Sequence, residues 1–296
     1  MSRISPPQSC VELAPAKLNL SLRVLGKRPD GYHELSSLVA FAAVGDKLSL
    51  QPNTPLALQT TGPFGHAITE SDADNLVIRA AHAASVAHPS LQLGAFRLEK
   101  VLPVAAGIGG GSADAAAALR LIRSRNPDSA SKIDWMTLAA GLGADVPVCL
   151  TGRPAFMQGI GDRITPLHGL PPCWIVLANP RVPLSTRDVF TAMAAGPVQQ
   201  VEAPASQTAF ATRAELLAYL ETQPNDLTDA AIRLCPAVGD VLRRLQNLEG
   251  AEFSRMSGSG PTCFACFASA QTADAAAAAL AGQRPDWWVI STPLLD

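Results

Sequence analysis

Four glycines within five residues, Gly107-Ile108-Gly109-Gly110-Gly111, open directly into the alanine-rich stretch Ser112-Ala113-Asp114-Ala115-Ala116-Ala117. Glycine lets a backbone come close to an anion, and a helix starting behind it aims free N–H groups and a positive dipole end at the same place. The segment from Leu102 and Pro103 onward therefore reads as a phosphate cradle, with a helix expected over 112–125 and Ser112 as its N-cap. A flexible glycine loop without a ligand is the plain alternative. Two better-known cradles fail on spacing: no GK[ST] tail follows, and Ser112 and Asp114 stand where a GxGxxG motif needs its last glycine. Asp114 is favourable to the helix dipole but repels a phosphate, so it either turns away or helps position Mg²⁺ through water, with a helix-end charge and nothing more as the plain alternative.

A second acid stands just beyond an expected helix over 135–142, in Gly141-Leu142-Gly143-Ala144-Asp145-Val146-Pro147-Val148. A carboxylate in such apolar surroundings needs a partner. The candidate is Lys17, in an alternating strand expected over 14–24 that is half buried, with Ala16, Leu18, Leu20, Leu22 and Val24 on one side and Lys17, Asn19, Ser21 and Arg23 on the other. Lys17 and Asn19 then sit on one face, about 7 Å apart along the strand. Lys17 with Asp145 would resemble a base with its charge stabiliser; a surface charge or a structural ion pair is the alternative for either alone. Near the C-terminus, Met256-Ser257-Gly258-Ser259-Gly260-Pro261 joins two strands through a loop too glycine-rich for a simple hairpin, which again suggests a close backbone approach.

Between these motifs, strands are expected over 35–44, 46–51 and 96–101 and a helix over 74–86. The first half is mixed α/β. Beyond Asp162 a strand over 174–178, helices over 213–222, 225–234 and 236–247, and a closing strand, turn, strand, helix and strand suit an α+β sandwich. The segment 195–212 reads as a surface excursion.

Composition narrows the function. At 296 residues with 48% hydrophobic content the chain can fill a sizeable core, and 23 Lys plus Arg against 25 Asp plus Glu leave a net charge of −2. That balance gives no general attraction to nucleic acid or to an acidic membrane, so an anionic ligand must be held locally. Neither a secretory leader nor a membrane span is expected, and six scattered cysteines fit a reduced cytoplasm. Cys263 and Cys266 form a CxxC, but on an expected strand they are read as structural.

In order along the chain, 15–20 (Pro-Ala-Lys-Leu-Asn-Leu), the glycine segment 103–117 and 257–261 (Ser-Gly-Ser-Gly-Pro) resemble the three motifs of the galactokinase, homoserine kinase, mevalonate kinase and phosphomevalonate kinase (GHMP) superfamily. More narrowly, 14–20, 28–33 (Arg-Pro-Asp-Gly-Tyr-His), 107–116 and 143–147 resemble its diphosphocytidyl-methylerythritol kinase branch. The resemblance implies a two-domain α+β fold, with an N-terminal domain of the ribosomal-protein-S5 type over 1–160 and a ferredoxin-like C-terminal domain over 161–296. It implies ATP as donor, Mg²⁺ as cofactor, and a small-molecule acceptor, a cytidine-diphosphate-linked methylerythritol phosphorylated on its 2-hydroxyl. A monomer or homodimer in the cytoplasm is expected.

Carried over by motif, Asp145 is the base, Lys17 stabilises it and the developing charge, and Asn19 orients them. Tyr32 and His33 grip the cytidine by stacking and by hydrogen bonds to a base edge, with Phe190 stacking on the other side. Asn75 and Lys100 fall at adenosine-side positions, while Pro103, Gly107, Ile108, Gly109, Gly110, Gly111, Ser112 and Ala113 surround the phosphates. No protein-held metal ligand is assigned. The chain departs from the commoner pattern in Ala105-Ala106 before Gly107 and in Ala113 where a second serine often follows Ser112. Two rival readings are another GHMP kinase acting on homoserine, mevalonate or a sugar, and a nucleotide-binding regulator without catalysis. Against the first stands the 30–33 segment, which a non-nucleotide acceptor gives no reason to place beside the catalytic strand.

Overall fold

The computed structural model describes residues 10–68, 74–198 and 209–296. In chain order the elements are β1 Cys10–Asn19, β2 Arg23–Lys27, β3 His33–Pro52, β4 Ala57–Thr61, α1 Leu76–Ala87, β5 Gly94–Glu99, α2 Gly110–Arg125, α3 Pro127–Ala130, α4 Trp135–Leu142 and α5 Val146–Thr151. Then follow β6 Ala155–Gly159, β7 Arg163–Pro166, β8 Trp174–Asn179, α6 Thr186–Met193, α7 Arg213–Thr222, α8 Thr228–Leu234, α9 Ala237–Gln246, β9 Phe253–Met256, β10 Cys263–Phe267, α10 Ala270–Gln283 and β11 Trp288–Pro293. The chain forms two compact units that interleave in sequence: 1–15, 45–104 and 110–150 in one; 16–44, 105–109 and 151–296 in the other.

In the first unit the second half of β3 pairs antiparallel with β5, which pairs parallel with β4. Helices α1, α2 and α4 pack on one another. Ala113 and Ala115 to Ala118 of α2 are all buried, and their small side chains let neighbouring elements come close.

In the second unit the first half of β3 pairs with β2 and β6, and β6 with β7. A separate antiparallel sheet runs in the order β11-β8-β10-β9. With the helical stretch after β8 and α10 after β10, this is a β-α-β-β-α-β arrangement of the ferredoxin-like kind. Its core includes Val176, Ala178, Leu227, Val238, Val241, Leu245, Met256, Ala265, Phe267 and Leu280.

Several expected elements change. The strand expected over 14–24 is two: Leu20 and Ser21 both direct their N–H groups at Leu38 O (2.8 and 3.4 Å), which breaks the ladder before β2. Nor is it half buried, since Lys17, Asn19 and Ser21 are as enclosed as the leucines between them. The strands expected over 35–44 and 46–51 are one. Gly45 between them does not break β3; a Cβ there would lie 2.3 Å from Ala14 O, so glycine serves the close approach of β1.

Helix α2 begins at Gly110 rather than Ser112, α8 begins at Thr228 rather than 225, and the short helices α5 and α6 carry too few turns to show a period. Cys263 and Cys266 are buried in β10, and burial pushes the Cys263 thiol up, as befits a structural residue. Of the expected surface excursion, 199–208 lies outside the described residues.

Candidate active site

Successive side chains of a strand point to opposite faces, so Lys17 and Asn19 of β1 share one. The Lys17 ammonium donates to Asn19 Oδ1 at 3.0 Å. Asn19 in turn donates its backbone N–H to Ser257 Oγ (3.1 Å) and its Nδ2 to Ser37 Oγ (2.7 Å), and the Ser37 hydroxyl donates to Ser21 O at 2.5 Å. Ser257 completes the circuit by donating to Gly107 O at 3.0 Å. The Lys17 N–H donates to Ile108 O (3.0 Å) and the Thr262 N–H to Ala106 O (3.2 Å).

Three motifs far apart in sequence thus meet in the second unit: the β1 pair, the segment 106–109 and the loop 257–260. Gly107 has φ +72°, and a Cβ on it would lie 2.5 Å from Gly260 O, so no other residue fits that contact. Gly109 sits against Lys17, with a would-be Cβ 3.1 Å from the lysine Cβ. Asn225 was not anticipated. Its Nδ2 donates to both Met256 O and Gly258 O at 2.8 Å, holding the C-terminal glycine loop from behind. The Pro224-Asn225-Asp226 turn carried the only sequence signal, and an expected helix over 225–234 concealed it.

Residues 28–33 form a braced turn. The Arg28 N–H donates to Tyr32 O (2.8 Å), the Gly31 N–H to Arg28 O (3.1 Å) and the Tyr32 N–H to Asp30 Oδ1 (3.0 Å). The turn presents the Tyr32 side chain outward, 61% exposed. His33 opens β3 and stacks on Phe190 of α6, with ring centroids 4.7 Å apart and planes 28° from parallel. The two rings touch, so no planar ligand fits between that pair. Burial, and then the charge of Lys27, push the His33 imidazole below its ordinary range, which keeps it neutral and able to accept at one nitrogen and donate at the other.

In the first unit, the start of α2 at Gly110 leaves the N–H groups of Gly110, Gly111 and Ser112 in its first turn without partners inside the helix. The Ala113 side chain is buried, as in the second unit is that of Ile108. Pro103 is also enclosed. Asn75 caps α1, accepting from the Val77 N–H at 2.9 Å, and is buried.

Lys100 is no surface lysine: its ammonium lies 2.6 Å from Asp46 Oδ2 and 2.6 Å from Asp114 Oδ2, with all three residues buried. Asp114 has therefore turned inward. Burial raises its carboxyl to about 7 against the pull of Lys100, with Asp46 adding to the rise. For Lys100, burial lowers the ammonium pKa, but the two carboxylates outweigh it and leave it raised. Asp145 lies between α4 and α5, its carbonyl accepting the Cys149 N–H at 3.1 Å, and its side chain is partly exposed. Among the described residues no three His, Cys, Asp or Glu side chains cluster to hold a metal ion, and no helix is long and apolar enough to cross a membrane.

The GHMP kinases N terminal domain model matches residues 75–153 and the GHMP kinases C terminal model residues 208–285. The chain is 47% identical to 4-diphosphocytidyl-2-C-methyl-D-erythritol kinase of Bradyrhizobium diazoefficiens, over 97% of this chain and 98% of that protein. It is 49% identical to the Rhodopseudomonas palustris protein of the same name, over 93% and 94%. A crystal structure of 4-(cytidine 5'-diphospho)-2C-methyl-D-erythritol kinase superposes with a TM-score of 0.76 at 35% identity, covering 97% of this chain and 100% of that one. A homoserine kinase from Cytophaga hutchinsonii shares the fold, with a TM-score of 0.67 at 18% identity over 99% and 96%. With full-length identity of this order and both domain models in sequence order, the chain belongs to the 4-diphosphocytidyl-2-C-methyl-D-erythritol kinase family of the GHMP kinases.

Proposed function

We infer that this chain transfers the terminal phosphoryl group of ATP to the 2-hydroxyl of 4-diphosphocytidyl-2-C-methyl-D-erythritol, giving the 2-phosphate and ADP. The observation that carries the reading is near-half identity along the whole chain to kinases of that name. The same reading puts the reaction in the non-mevalonate route to isoprenoid precursors and takes the protein to be a cytoplasmic monomer or homodimer. The family's two domains are read as 1–160 and 161–296, with one family model falling inside each.

In this reading the acceptor oxygen attacks the terminal phosphorus, the bond from that phosphorus to the bridging oxygen breaks, and the hydroxyl proton passes to Asp145. Phosphoryl transfer has a loose transition state, so alignment and charge neutralisation matter more than strong deprotonation. Lys17 supplies positive charge and Asn19 fixes its ammonium, a role that the 3.0 Å bond between them supports. Gly107, Ile108, Gly109 and the first turn of α2 from Gly110 to Ala113 receive the phosphates, with Ser112 adding a hydroxyl and Pro103 shaping the approach. Asn75 and Lys100 lie on the adenosine side. Tyr32 is the exposed stacking ring for cytosine, and the His33–Phe190 pair supplies the base-edge contact and the wall behind it. Mg²⁺ belongs to this reading as the nucleotide's companion ion only. Asp114, bonded to Lys100, is not read as its ligand.

The test is an acceptor screen that reads ADP release with diphosphocytidyl-methylerythritol, mevalonate and homoserine side by side. Release with the first alone is expected. Turnover of mevalonate or homoserine, or of none of the three, overturns the assignment.

A further inference from the structure

Asp46 has no part in the chemistry above, yet it is completely buried, 0% exposed, and both of its carboxylate oxygens bond to the flanks of the glycine loop. Its Oδ1 accepts the N–H groups of Val101 (2.6 Å) and Leu102 (2.8 Å), the residues that lead out of β5 into the loop. Its Oδ2 accepts from Lys100, whose ammonium also reaches Asp114 in α2, the helix that leaves the loop. The same ammonium lies 3.2 Å from where a Cβ on Gly110 would stand, under the first residue of that helix. One ammonium against two carboxylates leaves a surplus negative charge out of water, and Asp114 Oδ1 is buried with no hydrogen-bond partner.

We propose that Asp46 and Asp114 are positioning residues for the phosphate donor: acting through Lys100, they clamp the strand that enters the glycine loop to the helix that leaves it, and the clamp holds donor best when its surplus charge is neutralised by a proton. The proposal rests on ATP being the donor. Its physical content is that a phosphate-binding loop is only as well placed as the shell that supports it. A donor bringing several negative charges to the α2 N-terminus favours the protonated cluster, and the proton goes to Asp114. Lys100 and Asp46 are the charged groups acting on that carboxyl. Asp46 and Asp114 touch no reacting atom in this scheme.

The experiment measures KM for ATP and for the acceptor, kcat, ATP binding by calorimetry and thermal unfolding, for the wild type, Asp46→Asn and Asp114→Asn. For Asp46→Asn, whose amide nitrogen cannot accept from Lys100, KM for ATP rises about tenfold while KM for the acceptor stays unchanged. For Asp114→Asn, a neutral stand-in for the protonated acid, the ratio of wild-type to variant ATP Kd climbs between about pH 6 and about pH 8; the nucleotide's own titration is common to both proteins and cancels. Equal changes in both KM values, or a ratio that stays flat across that range, overturns the proposal. Should Asp46→Asn fail to fold, the Asp114→Asn ratio decides alone. Absence of ATP binding to the wild type sinks the kinase reading itself; ATP binding that neither variant alters sinks only the clamp.

Discussion

Both units fix part of the same glycine segment, but with different chemistry. In the first, the flanks are held by full charges, Asp46, Lys100 and Asp114, locked at 2.6 Å in a buried cluster. In the second, residues 106–108 are held by an amide, hydroxyls and backbone groups, through Asn19, Ser37 and Ser257. A network of amides and hydroxyls keeps the same bonds across the physiological pH range, whereas a cluster with an odd carboxylate titrates. The difference separates a support that is constant from one that responds to protons. It also separates the two lysines, because Lys100 is enclosed between carboxylates while Lys17 is fixed by an amide oxygen beside the segment read as binding phosphate.

The largest expected effect tests the two groups assigned to the reaction. Lys17→Ala and Asp145→Ala each lower kcat by about 10²- to 10⁴-fold, with ATP affinity by calorimetry little changed, and the double variant is hardly worse than either single one. If one of the two turns over near normally, that residue leaves the mechanism. Next comes the neutral network. Gly107→Ala puts a Cβ into Gly260 O at a positive φ, and should destabilise the fold by about 1–3 kcal/mol in urea unfolding; a midpoint equal to that of wild type would mean that the contact is not tight.

A smaller effect distinguishes the two supports directly. The folded Asp114 carboxyl, at about 7, lies above its ordinary value of 3.8, so the folded chain binds this proton more tightly than the unfolded one. Its contribution to stability is therefore greatest below the ordinary value and is lost as pH rises toward about 7. Asp114→Asn should flatten the thermal midpoint against pH between about 4 and 7, whereas Ser257→Ala shifts the whole curve without changing its slope. Parallel curves for wild type and Asp114→Asn would remove the contrast. Least of all, Arg163→Ala breaks an exposed pair with Glu34, 2.6 Å long, and should change stability by less than about 1 kcal/mol. A larger loss would mean that the brace on the 28–33 turn carries more than its exposure suggests.

Legibility in the sequence followed the range of the interactions. Helix α4 and the closing strands were readable because period, caps and turns act over a few residues. The start of α2 lies two residues before the serine that could cap it, because Gly110 and Gly111 already belong to the helix. Asp114 could be read as an inward carboxylate, a metal-facing one or a plain helix-end charge. The choice belonged to Asp46 and Lys100, which lie 68 and 14 positions earlier in the chain.

The sequence by itself determined the family, through three short motifs in order, and the local elements that carry them, because those depend on residue type at close spacing. Tertiary structure alone decided that Ser257 and Asn225 hold the glycine segments, that His33 rests on Phe190, and that Lys100 is buried between two acids. The physical reason is that a buried polar group must find a partner wherever the fold brings one, and a partner tens or hundreds of residues away leaves no periodic mark in the sequence.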